Sequence, residues 1–95
     1  MKGLNQFELP GFEYPFTKED EASIKALNIW PHQYLEILAF ARGDYSFNDY
    51  NTLEAEWLRI RTPLEEGLTE ENEFLATFFF RQLTIAYAIY RSAIS

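Results

Sequence analysis

Residues 70–94 read EENEFLATFFFRQLTIAYAIYRSAI, and their pattern decides the architecture. An acidic start gives way at Phe74 to apolar residues that recur at helical spacing on more than one face. Leu75, Phe79, Leu83, Ala86 and Tyr90 form one stripe, Phe74, Phe78, Ile85 and Ile89 extend around it, and Phe80 and Tyr87 lie further round still. The spacing predicts a helix over 70–93, capped by Thr69 and about 36 Å long at roughly 1.5 Å per residue. Such a helix is too apolar to lie on a surface and must be the spine of a fold. It does not suit a membrane, because Arg81 and Gln82 stand at its middle, where a charge costs about 3 kcal/mol.

Upstream, Thr62-Pro63-Leu64-Glu65-Glu66-Gly67 holds a cap, a proline and a glycine stop within six residues. This predicts a one-turn corner helix over 63–66. Ser46-Phe47-Asn48-Asp49 is a capping signature, and Tyr45 before it can pack on Tyr50 as a hydrophobic staple. A helix over 47–61 is expected, with Tyr50, Leu53, Trp57 and Ile60 inward and Leu58 flanking. Pro31 suits the first turn of a helix over 31–42, whose Tyr34, Ile37, Leu38 and Ala41 follow at helical spacing before Gly43. Leu35 and Phe40 fall off that stripe and widen its buried face. Thr17-Lys18-Glu19-Asp20 opens a first helix over 18–28, with acids on its positive end and a thin apolar face.

Residues 1–16 differ from the rest. Pro10, Pro15, Gly3 and Gly11 are scattered among Phe7, Leu9, Phe12, Tyr14 and Phe16, which predicts an extended aromatic arm. That arm lies either on its own domain or on a neighbouring subunit. No internal repeat and no credible strand pair occurs. The expected fold is therefore all-α: one domain over 1–95, a compact bundle of about four helices with the corner turn and the arm.

Composition bounds the function. Ninety-five residues with 47% apolar and 18% aromatic content will fold around a small aromatic core. Cysteine is absent, which removes disulfides, thiolate metal sites and thiol nucleophiles and suits a reducing compartment. The first residues carry one Lys and no apolar run of signal-peptide length, so a cytoplasmic location is expected. Eight basic against fifteen acidic residues give a net charge of −7. Phosphate backbones would be repelled and basic proteins attracted, so direct nucleic-acid binding is disfavoured.

Chemistry has few carriers. His32, the sole histidine, stands four residues before Glu36 on one helix face, which is half a metal site at best. No phosphate-binding glycine loop or calcium loop is present, and no serine sits in a nucleophile elbow. Neither an enzyme, a cofactor nor a metal site is expected. The acidic run is more informative, since Glu65, Glu66, Glu70, Glu71 and Glu73 fall within nine residues with no Lys or Arg among them. These acids are either solvated corner and helix-start residues, or part of a negative surface with Asp44, Asp49, Glu54 and Glu56, interleaved by Tyr45, Phe47 and Tyr50.

The reading that follows is a non-enzymatic acidic module that docks on a basic protein, such as a nuclease or another nucleic-acid-handling protein, and inhibits or modulates it. It has the character of an immunity, antitoxin or anti-defence protein, with an outright DNA mimic as its narrower form. Asp44, Tyr45, Asp49, Glu65, Glu66, Glu70 and Glu71 would make the contact. The alternative is a homo-oligomeric structural or adaptor module, a homodimer in its simplest form. There the arm, through Phe7 and Phe12, and the last helix, through Phe80 and Tyr87, would make the self-contact. A weaker third reading is an apolar ligand carrier lined by Phe74, Phe78, Phe79 and Leu83.

Overall fold

The computed structural model describes residues 16–94. Four helices follow in chain order: α1 Lys18–Leu27, α2 Pro31–Arg42, α3 Tyr50–Glu66 and α4 Glu73–Ile94. No strand occurs among the described residues. The bundle is all-α as the periodicity predicts, and α4 is its spine, with α2 and α3 packed along it and α1 making a smaller contact with it. The extended arm expected over 1–16, including Phe7 and Phe12, lies outside the described residues except for Phe16.

Local signals set the first two helices. The Thr17 hydroxyl accepts from the Asp20 N–H at 3.0 Å, and the Asp20 carboxylate accepts from the Thr17 N–H at 3.0 Å, a reciprocal cap. Asn28 ends α1 at φ 59°, a left-handed conformation that Asn tolerates. Pro31 opens α2, and Gly43 closes it at φ 88°. Phe40, off the main stripe of α2, is fully buried and widens the core face.

The third helix departs from expectation at both ends. Asp49, not Ser46, is its N-cap and accepts from the Thr52 N–H at 2.8 Å. Both residue types can cap, and the later one succeeds because 44–49 is used differently. Tyr45 does not staple to Tyr50; it packs with Phe47 on Phe40, at ring-centroid distances of 5.9 and 6.1 Å. Tyr50 is left exposed. At the other end Pro63 does not interrupt the helix, so no separate corner helix over 63–66 forms. Leu64 is buried one turn after buried Ile60, and that packing holds the helical path through a proline that leaves the Arg59 carbonyl without its usual N–H donor. Thr62 adds a bond from its hydroxyl to the Leu58 carbonyl at 2.6 Å.

α4 begins at Glu73 after a turn over 70–72. Thr69 still caps this entry: its hydroxyl accepts from the Asn72 N–H at 3.1 Å, and the Asn72 amide oxygen accepts from the Thr69 N–H at 2.8 Å. Ala76, Phe79, Leu83, Ala86 and Tyr90 form its buried side. The Tyr90 hydroxyl donates to the Phe40 carbonyl at 2.8 Å and locks α4 to the end of α2. No described helix is long and apolar enough to cross a membrane.

Candidate protein-docking cleft

The acidic and aromatic residues singled out by sequence do not form one surface. Asp44, Tyr45 and Asp49 lie at the start of α3, whereas Glu65 and Glu66 form its last residues and Glu70 and Glu71 follow them, about 25 Å away along seventeen residues of helix. Several of these groups already have internal roles. Asp44 pairs with Arg42 at 2.6 Å, Asp49 caps α3, and Glu65 pairs with Arg61 at 3.2 Å. Burial pushes the Tyr45 phenol above its ordinary pKa. Of the other acids weighed, Glu56 and Glu36 share Arg59, at 2.7 and 3.2 Å. His32 is exposed, its expected neighbour Glu36 is committed to Arg59, and no described cluster of His, Asp and Glu could hold a metal ion.

Glu66, Glu70 and Glu71 remain exposed and make no ion pair among the described residues. They gather where the α3–α4 corner meets the α1–α2 loop. The Asn72 amide donates to the carbonyls of Ala26, at 2.7 Å, and Gly67, at 2.8 Å, and the Asn28 amide donates to Gly67 at 3.0 Å. Gly67 is required there because a Cβ would collide with the Leu27 carbonyl.

These bonds fix the floor of a cleft of about 320 Å³ lined by Asn28, Trp30, Gln33, Pro63, Glu66 and Gly67, with Leu68 and Thr69 at its lip. Trp30 is its wall. Trp30 is 68% exposed, although its backbone is held by its N–H donating to the Gln33 amide oxygen at 2.8 Å. On its other side Trp30 borders a larger groove lined by Lys18, Glu21, Ile24, Lys25 and Ile29, whose charges are mixed. An exposed aromatic plane beside an unpaired carboxylate is a receptor for a guanidinium or an ammonium group, which stacks on the ring and pairs with the acid.

Trp30 and Leu68 were not among the residues that sequence reasoning selected. The available signal was position: Trp30 precedes Pro31, outside the α2 stripe, so no core position calls for a large aromatic there.

Phe80 and Tyr87, expected to face a second subunit, turn instead toward α3. Trp57 stacks on Tyr87 at 4.5 Å, and the Arg61 guanidinium lies 5.4 Å from the Phe80 ring. Phe79 and Leu83 are core residues, whereas Phe74 and Phe78 face outward, so the four do not line a common ligand pocket. Comparison with protein-family models, with curated proteins and with solved structures finds no match.

Proposed function

We propose that this protein is a non-enzymatic binding module that docks on a basic protein partner through the Trp30 cleft and modulates that partner by covering it. One observation carries the reading: Trp30, exposed in a fixed loop, and the unpaired Glu66 line the same cleft, with Glu70 and Glu71 on the same corner. An arginine or lysine of the partner would lie over the indole with its charge on Glu66. Stacking of this kind contributes about 0.5–2 kcal/mol depending on desolvation. Glu70 and Glu71, with the net charge of −7, would steer the approach.

Nucleases and nucleic-acid-handling proteins have the basic surfaces this chemistry fits, and a cytoplasmic setting suits a chain without cysteine. The acids at the start of α3 contribute to the field and not to the contact. Capture from an extract of the cells that make the protein, at low and raised salt, tests the reading. The wild type should retain basic proteins that Trp30→Ala and Glu66→Lys both release. Retention by both variants would refute the cleft as the docking site.

A further inference from the structure

The outer face of α4 is apolar and uncovered. Phe74 is 92% exposed and Ile89 65%, and Phe78 and Ile85 are each about half exposed between them. Thr77, Arg81, Thr84, Ala88 and Ser92 complete this exposed side. Among the described residues no other element lies over this face.

We infer that a second copy of this chain covers the stripe, with α4 packed antiparallel on α4 about a two-fold axis that passes between residues 81 and 82. A two-fold contact requires that if residue i meets residue j, then j meets i. About that axis Phe74 falls opposite Ile89 of the second copy, Phe78 opposite Ile85, and Arg81 opposite Gln82. All four exposed large side chains are thereby paired with one another in a single register. Thr77, Thr84 and Ala88 beside them are small enough for the helices to approach.

Charge selects the direction. A parallel pair would gather Glu70, Glu71 and Glu73 of both copies at one end. The antiparallel pair separates the two acidic ends by the length of the helix. The aliphatic stem of Arg81 packs along the seam while its guanidinium reaches water or the Gln82 amide across the axis. A lipid surface is a poorer occupant, because anionic headgroups would meet an acidic chain with an acidic corner at the head of the stripe. The seam runs about 22 Å along α4, shorter than a permanent interface needs, so the dimer dissociates on dilution.

The chain has no cysteine, so introduced thiols report this contact alone. Mixed Phe74→Cys and Ile89→Cys full-length chains should form a disulfide-linked dimer far faster than either variant by itself. Sedimentation from micromolar to millimolar protein should reveal a monomer–dimer equilibrium, and Phe78→Glu should weaken it by roughly tenfold or more while leaving the helical circular dichroism unchanged. A monomer at every concentration, as when the chain's own residues 1–15 occupy the stripe, would overturn the inference. Equally fast self-linking of Phe74→Cys alone would overturn the antiparallel register. Neither outcome depends on the Trp30 cleft.

Discussion

Asn72 is the one polar residue buried among those described, and its side chain ties three segments together. Its amide serves the Ala26 carbonyl at the end of α1 and the Gly67 carbonyl after α3, while its oxygen completes the cap with Thr69. Removing it takes the donor from the Ala26 carbonyl and the acceptor from the Thr69 N–H and leaves the Gly67 carbonyl with the Asn28 amide alone, so Asn72→Ala should destabilise the fold by about 2 kcal/mol in urea unfolding. Asn72→Asp keeps the acceptor but turns a carboxylate oxygen toward the Ala26 and Gly67 carbonyls in a buried site, so at neutral pH it should destabilise at least as much as Asn72→Ala. Trp30, by contrast, is mostly in water, and Trp30→Ala should alter binding while leaving the unfolding midpoint nearly unchanged. The two substitutions separate the floor of the cleft from its recognition surface.

At the scale of elements, α1 and α2 were legible because single residues mark their ends: Thr17 with Asp20, then Asn28, Pro31 and Gly43. α4 was legible from its apolar spacing alone. The start of α3 was not, because Ser46 and Asp49 both fit a cap, and the choice rests on Tyr45 and Phe47 packing against Phe40, a contact between distant parts of the chain. Its end was misread because a proline signal is local, whereas the burial of Leu64 that overrides it is tertiary. If packing carries the helix through Pro63 against its own preference, Pro63→Ala should restore a backbone bond to the Arg59 carbonyl. It should then raise stability by about 1–3 kcal/mol. A lower stability would show that the proline ring in the cleft wall contributes more than the helix loses. The corner acids Glu66, Glu70 and Glu71 were legible as a charge run, but the indole beside them depends on how two loops meet.

For the whole molecule, the aromatic core makes stability sensitive to alkali. Burial, with the hydrogen bond to Asp20, pushes the Tyr34 phenol up to about 12. Burial likewise raises Tyr45 and Tyr90 above the ordinary 10.0. A group whose folded pKa is raised contributes stability that is whole below its unfolded pKa and is lost as the pH climbs through the folded one. Unfolding free energy should therefore fall as pH rises from 10 toward 12, and Tyr34→Phe should flatten that fall. On the acid side Asp20, held low first by the Thr17 N–H, contributes stability above its ordinary 3.8 that disappears as pH drops through its folded value. Assembly through α4 would add a second acidic corner to the particle, so that one dimer could engage two basic sites and gain avidity.

Whether the Trp30–Glu66 cleft takes a basic side chain can be read from the two indole N–H resonances while an arginine-rich peptide is titrated into the full-length protein at low salt. The Trp30 resonance should shift while that of Trp57, whose Nε1 is buried under its own neighbours, stays in place. The shift should weaken in Glu66→Gln and fade as salt is raised. A Trp30 resonance that does not move, or one that moves equally in Glu66→Gln, would contradict it.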